Sequence, residues 1–154
     1  ALERVTKRLD TTDNLSNKYL ERGHELEPFA IAEYEKQTFR QVTNGGFFQK
    51  DFLGDSPDGL IGEDGCIEVK SVIPNTHWER IEKGGIDTAY KMQIQGHLLV
   101  GDRKWCDFIS YCPEFVEGKQ LYIHRVHRDE ELISQLTERL EEFEALIIEK
   151  MKLL

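Results

Sequence analysis

Three side chains have the types and spacing to do chemistry together. Asp58 stands in the run Ser56-Pro57-Asp58-Gly59, and Glu68 and Lys70 stand in the run Glu68-Val69-Lys70. On a strand, residues two apart project from the same face, so Glu68 and Lys70 point together. Leu60-Ile61 and Cys66 to Val72 flank Gly62-Glu63-Asp64-Gly65, a turn composition that predicts a hairpin. Asp58 then lies on or beside the partner strand, and the two carboxylates converge. Their hard oxygens suit Mg²⁺, which takes ligands at about 2.0–2.1 Å. Cys66 starts the same face, while Ile67 and Val69 turn the other way, into the core.

A phosphodiester is negatively charged and repels an attacking hydroxide. A divalent ion neutralises that charge, polarises the phosphoryl oxygen and lowers the pKa of a bound water. A lysine beside it orients the water and stabilises charge that develops at phosphorus. Asp, Glu and Lys are a minimal set for hydrolysis at phosphorus. The spacing alone is degenerate, because on a solvent face Glu68 and Lys70 would be a surface pair worth about a few tenths of a kcal/mol. The rest of the chain has to decide between the two.

The elements that must position these residues read as α, then β-hairpins, then α, β, β, α around one mixed sheet flanked by helices, an α/β (α+β) class. Apolar residues recur near a 3.6-residue period from Asn14 to about Thr38, with Gly23 and Pro28 predicting a kink or two abutting helices. Residues 1–11 read as the end of an earlier helix. Gln41 to Asn44 and Phe47 to Lys50 flank Gly45-Gly46, a second expected hairpin turn. Pro57 places residues 55–59 in a loop or strand entry. Thr88 to Val100 reads as a helix ended by Gly101, Lys104 to Tyr111 and Gln120 to Val126 as strands. Leu132, Leu136, Leu140, Phe143, Ile147 and Met151 form one apolar stripe on a last helix from about Glu130 to Leu153.

With 154 residues and 39% apolar composition, the chain suits a single domain, here 1–154. Nothing approaches the roughly 18–20 apolar residues of a spanning helix, so no membrane partner is expected. No secretory leader pattern opens the chain, and it begins with Ala1, consistent with a start cut from a longer N-terminal region. Cys66, Cys106 and Cys112 form no metal-binding spacing and read as reduced, half-buried cysteines of a cytoplasmic protein. The net charge of −9 argues against a nucleic-acid partner. Much of the acid, however, lies between Asp129 and Glu149. Basic residues gather locally at Arg4/Lys7/Arg8, Lys18/Arg22, Arg80/Lys83 and Arg103/Lys104.

Three further segments match one family in the right order. Ser56 to Gly59 followed by Glu68 to Lys70 resembles the core of the lambda-exonuclease and YqaJ-like viral recombinase family of PD-(D/E)xK nucleases, which have a restriction-endonuclease-like fold. Upstream, Arg22-Gly23-His24-Glu25-Leu26-Glu27-Pro28 is similar to the family's helical Gly-x-x-x-Glu motif. Downstream, Tyr90-Lys91-Met92-Gln93-Ile94-Gln95 is similar to its Tyr-x-x-Gln-x-Gln helix, and Trp105 to Pro113 to the strand that follows. The likeness runs from about residue 20 to 127.

The resemblance implies Asp58 and Glu68 as metal ligands with the Val69 carbonyl, Glu27 holding a metal directly or through water, and Lys70 positioning the nucleophilic water. It implies that Gln95, and Gln93 with it, contacts water or phosphate, and that Ser56, Tyr90 and Arg22 are substrate contacts. It further implies Mg²⁺, with Mn²⁺ substituting, DNA as substrate, a single-strand annealing protein as partner and a homo-oligomer, a ring of three. One departure matters. Lambda exonuclease carries a substantial region ahead of the matched helix that grips a 5′-phosphate, and this chain begins almost at that helix.

The remaining signals are weaker. His24, His77, His97, His124 and His127 form no compact metal set. Arg125 and His127 share a strand face that reads as an exposed strand end or a phosphate contact. Thr76-His77-Trp78, Arg80, Lys83 and Gly84-Gly85 read as a flexible basic-aromatic loop, either a simple connection or a wall of a DNA channel. Trp105 reads as core. The sequence thus predicts a DNA exonuclease, with a structure-specific or restriction-like endonuclease of the same fold, or a non-cleaving DNA-binding module, as alternatives.

Overall fold

The computed structural model describes residues 13–153. The expected helix over residues 1–11 and the Arg4/Lys7/Arg8 cluster lie outside them. The first described element, α1, spans Asp13–Thr38 as one helix with Pro28 inside it, so of the expected kink or pair of abutting helices the pair is not formed. Pro28 removes one main-chain bond. Ala30 and Tyr34, just beyond it, are fully buried, and this packing carries the helix across the lost bond. Tyr19, Leu20 and Phe29, part of the same apolar periodicity, are exposed instead.

Strands β1 (Phe48–Lys50) and β2 (Leu53–Asp55) form a small antiparallel hairpin. Its turn falls at Asp51-Phe52, with Asp51 at φ 54°, and not at Gly45-Gly46 as the sequence suggested. Gly45 has a different reason for being glycine. A Cβ there would collide with the Pro57 carbonyl, so Gly45 lets residues 41–45 run close against the Asp58 loop. Thr43 exchanges main-chain hydrogen bonds with Leu60 at 2.9 and 2.8 Å, which covers the outer edge of the next strand.

The main sheet has the order β3 (Gly59–Ile61), β4 (Gly65–Ser71), β5 (Trp105–Tyr111), β6 (Leu121–His127). The β3/β4 and β5/β6 pairs are antiparallel, while β4 and β5 run parallel with Glu68 opposite Phe108. Parallel strands need a crossover, supplied by α2 (Pro74–Lys83) and α3 (Thr88–Val100). The expected loop after Ser71 is therefore largely helix α2. Pro74 sits in its first turn, a position that needs no amide hydrogen, and Gly84 at φ 66° ends it.

Helices cover both faces of the sheet. On one side Tyr34 of α1 packs with Ile61, Ile67 and Ile109. On the other, Ile94, Leu98 and Leu99 of α3 and Ile133 of α4 (Glu130–Met151) pack with Cys66, Cys106, Phe108 and Val126. Asp129 caps α4, its carboxylate accepting from the Glu131 and Leu132 amides. The apolar stripe of α4 divides. Leu136 and Leu140 pack on the core, but Phe143, Ile147 and Met151 are exposed. Trp105 is at the edge of the core and not inside it, its ring lying between the guanidinium groups of Arg40 and Arg125 at 5.2 and 3.7 Å. Among the described residues no helix is long and apolar enough to cross a membrane.

Candidate active site

Strand β4 carries the centre of the site on the face it turns toward α3. The loop before β3 is locked onto it twice: the Asp58 amide donates to the Ile67 carbonyl at 3.2 Å, and the Val69 amide donates to Asp58 Oδ2 at 2.7 Å. The second bond fixes the carboxylate beside Glu68. The glycine after Asp58 is sterically required, because a Cβ on Gly59 would run into Val42 Cγ1. The glycine of the Pro57-Asp58-Gly59 run thus follows from the space available and not from the chemistry.

Glu68 is 4% exposed and makes contacts on both oxygens. Oε1 accepts from Lys70 Nζ at 2.6 Å and from Gln93 Nε2 at 3.2 Å. Oε2 lies 3.0 Å from His97 Nε2, whose Nδ1 lies 2.6 Å from Asp55 Oδ1 at the end of β2. A cleft of about 330 Å³ opens over this cluster, lined by Glu27 and His24 of α1, by Asp58, Glu68, Val69 and Lys70, and by Tyr90 of α3. Lys70 Nζ stands 5.5 Å from the centre of the Tyr90 ring.

The protonation behaviour follows from this crowding. Burial, and after it the charge of Glu68, pushes the Asp58 pKa from 3.8 up to about 6; Glu27 adds to the rise and the Val69 amide opposes it. Burial also works to raise Glu68, but hydrogen bonds from His97 and Lys70 outweigh it and hold that carboxyl below its ordinary value. Burial works to lower His97, yet its bonds to Asp55 and Glu68 win, and its pKa rises from 6.5 to about 10. His97 is therefore an imidazolium at neutral pH, donating to a carboxylate at each end.

The structure gathers Glu27, Asp58, Glu68, Val69, Lys70 and Tyr90 around one cleft and joins Gln93 to it through Glu68. It does not bring in the rest. Gln95 is fully buried and faces the β6–α4 junction, its amide donating to the His127 carbonyl at 2.9 Å and accepting from the Asp129 amide at 3.0 Å. On a helix, residues two apart face nearly opposite ways, so Gln93 and Gln95 cannot both border the site. Ser56 is exposed and donates to the Gly46 carbonyl at 2.9 Å, tying the loop down outside the cleft. Arg22 is held by Glu114 at 2.6 Å and lines a neighbouring hollow with Ser71 and Thr76. Arg125 is no phosphate-contacting strand end, since it binds Asp107 at 2.7 and 2.9 Å.

Reading the histidines as dispersed misses His97. The signal was present in the helical spacing: Tyr90, Gln93 and His97 are three and four residues apart and share one face of α3. Asp55 carried no comparable signal, because only the tertiary packing of the small hairpin brings it to His97.

The donor chemistry fits a hard divalent cation. Three carboxylates and a main-chain segment bring oxygen donors to one cleft, which His24 also lines, and oxygen is the preference of Mg²⁺ over softer ions. Burial first, and the charges of Glu68 and Glu27 after it, penalise the ionised form of Asp58, a penalty that such an ion would relieve. Asp58 Oδ1 and the Glu27 carboxylate make no hydrogen bond or ion pair among the described residues. Among those residues no three His, Cys, Asp or Glu side chains are already drawn into a ligand shell; Lys70 and His97 stand on Glu68 instead.

Comparison with known proteins agrees with this geometry. Comparison with the curated proteins returns no match. Among solved structures, an alkaline exonuclease (LHK-Exo) from Laribacter hongkongensis is 32% identical, with a TM-score of 0.74 over 99% of this chain and 82% of that one. The same enzyme in complex with dAMP gives 34% identity over the same coverage. A phage-related exonuclease from Haemophilus somnus 129PT shares the fold, with a TM-score of 0.68 at 17% identity over 87% of this chain and 74% of that one. The family profile of the YqaJ-like viral recombinase domain matches residues 2–104, two thirds of the chain and every element that lines the cleft. The chain belongs to the family of YqaJ-like viral recombinase domains.

Proposed function

We propose that this protein is a Mg²⁺-dependent DNA nuclease that degrades duplex ends, 5′→3′, in phage-type recombination. The observation that carries the reading is the convergence of Glu27, Asp58 and Glu68 with Lys70 on one cleft, with more carboxylate than the neighbouring cations balance. Membership of a viral recombinase family and likeness to alkaline exonucleases support an end-directed cut on DNA.

Asp58, Glu68 and the Val69 carbonyl would hold the ion, with Glu27 as a further ligand. When bound, it supplies neutralisation of the phosphodiester charge and a more acidic water. Lys70 orients the attacking water and stabilises the charge that builds on the phosphoryl oxygens. Its ammonium, set between Glu68 and the Tyr90 ring, has few alternative positions. Gln93 and His97 fix Glu68 from two directions, so the carboxylate does not have to reorganise during the reaction. The three free, buried cysteines support a reducing, cytoplasmic setting. The exposed outer half of α4 supports self-association, which light scattering on the purified chain would read. A single-strand annealing protein completes the recombination role as partner.

The test is a cleavage assay with Mg²⁺ or Mn²⁺ on linear 5′-phosphorylated duplex beside closed circular DNA. Loss of the linear form alone, abolished by EDTA and by Glu68→Ala, supports the exonuclease. Nicking of the circle moves the protein to the endonuclease class, and binding without any cutting moves it to a DNA-binding module.

A further inference from the structure

Tyr90 lines a second cavity as well, of about 120 Å³, which it shares with Thr76, Arg80, Lys83 and the Gly84-Gly85 turn. Arg80 is its centre. Its Nη1 donates to Ser110 Oγ at 3.2 Å and its Nη2 to the Tyr90 hydroxyl at 3.4 Å. Its guanidinium stands 5.4 Å from the Tyr90 ring centre and 5.2 Å from that of Phe108. Ser110 is itself held by buried His77 at 3.0 Å, and His77 Nε2 lies 3.0 Å from the Lys119 carbonyl. The guanidinium is thus fixed by neutral groups and ring faces alone. Among the described residues no carboxylate lies within ion-pairing distance of it. Glu79 and Asp87 also line the cavity, both exposed to solvent and neither paired with Arg80.

A half-buried guanidinium without a counter-charge is costly to maintain, and its planar fork matches the oxygens of a phosphate. Lys83 brings a second cation to the same cavity. Gly84 and Gly85, at φ 66° and 65°, leave their part of the lining without side chains, so a ligand can approach the main chain. The position relative to the cleft completes the case. Lys70 Nζ and the Arg80 guanidinium each lie within 5.5 Å of the centre of the same tyrosine ring, so they are no more than about 11 Å apart. A nucleic-acid strand carries a charge about every 3.4 Å of axis. A strand with one phosphate at Lys70 therefore has another within reach of Arg80.

We propose that the cavity walled by Arg80, Lys83 and Gly84-Gly85 is a phosphate subsite that grips the DNA strand next to the phosphodiester being cut. The proposal rests on the nuclease reading, and the experiment separates the two. Binding of a fluorescent duplex is measured by anisotropy in EDTA across a salt series, and cleavage is measured separately in Mg²⁺. Arg80→Gln and Lys83→Ala are each expected to weaken binding about tenfold at ~0.1 M salt and to lower the salt slope by ~1. In cleavage, KM should rise by more than kcat falls. Arg80→Lys, which keeps the charge and loses the fork, should recover the slope and only part of the affinity.

Lys83 is exposed at the end of α2, so its variant decides the matter even if Arg80→Gln melts early. Folded Arg80→Gln and Lys83→Ala proteins that bind with wild-type affinity and slope would overturn the subsite while leaving a cleaving wild type intact. A wild type that binds DNA but never cuts it would overturn the nuclease reading, and the salt slopes would still decide the subsite. A wild type that does not bind DNA overturns both.

Discussion

Two buried carboxylates lie on neighbouring strands of one sheet, on opposite faces, and they have opposite surroundings. Asp107 of β5, 2% exposed, accepts from the Tyr34 hydroxyl at 2.6 Å and from Arg125 at 2.7 and 2.9 Å, beneath the Trp105 ring. One negative charge meets one positive charge and both oxygens are used. Glu68 of β4, 4% exposed, meets Lys70 and His97, but Asp55, Asp58 and Glu27 are drawn into the same region. Four carboxylates face two cations. A balanced buried pair needs nothing further and reads as architecture. An unbalanced cluster opening on solvent needs a cation and reads as a site.

The largest expected effects test this division directly. Lys70→Ala and Asp58→Ala should each lower cleavage by at least ~10³-fold, at the upper end of what losing one stabilising donor costs. Their urea midpoints should stay near wild type, because both side chains border the cleft. Asp107→Ala should do the reverse. Breaking a buried pair costs about 3–5 kcal/mol, because Arg125 is left without its partner. The protein that remains folded should still cut DNA. Denaturation and specific activity measured on the same preparations would break the comparison if Asp107→Ala lost activity in its folded fraction, or if Lys70→Ala retained it.

A smaller effect belongs to the histidine between the two acids. His97→Gln keeps a donor toward Glu68 but loses the imidazolium and one of its two contacts. Removal of an outer partner of this kind typically costs about 10–100-fold in metal affinity or rate. Titration of Mg²⁺ by calorimetry should show the loss directly. Asp55→Asn should show a milder form of the same change. If neither variant alters ion binding or cleavage, the Asp55–His97 pair is architecture like Asp107–Arg125, and the division between the two faces moves.

The two faces also differed in how much the sequence revealed. Asp58, Glu68 and Lys70 were legible because a hairpin and a two-residue strand period are local, and both hold in the structure. The inward course of Ile67 and Val69 followed from the same period. Glu27 was legible only through the family motif, since nothing local links α1 to β4. Gln95 was misplaced because a motif string carries no helical angle: Gln93 reaches Glu68, and Gln95, two residues on, turns to the β6–α4 junction. Arg125 read as a loose strand end because its partners, Asp107 and Tyr34, are distant in the chain. Helix α2 was readable but escaped notice: Pro74, His77, Trp78 and Ile81 recur at i, i+3, i+4 and i+7, yet the basic residues and Gly84-Gly85 drew the segment to a loop reading. The turn at Asp51-Phe52 escaped because Gly45-Gly46 is the stronger local turn signal, and only the close approach of Gly45 to Pro57 explains it.

The smallest expected effect is the dependence of metal-free stability on pH, which reads the cost of holding Asp58 ionised in the cleft. Asp58 titrates near 6 in the folded chain and near 3.8 in the unfolded one. Between those values the native state holds a proton that the unfolded state has released, so stability falls as pH rises from about 4 through 6. After discounting for partial exposure, the change is on the order of 2 kcal/mol, or a few °C in melting temperature. His97 acts in a separate window. Its folded pKa is raised from 6.5 to about 10, so its contribution is full below 6.5 and is lost as pH rises through 10. Thermal melts in EDTA should therefore descend in two stages, and Asp58→Asn should remove the first and leave the second. Mg²⁺ should flatten the first stage in the wild type, because the ion and the proton compete for the same carboxylate. An Asp58→Asn protein whose acid-side melting curve matches wild type would mean that ionising Asp58 costs the fold nothing, and that the cleft is no more in need of a cation than the Asp107–Arg125 pair.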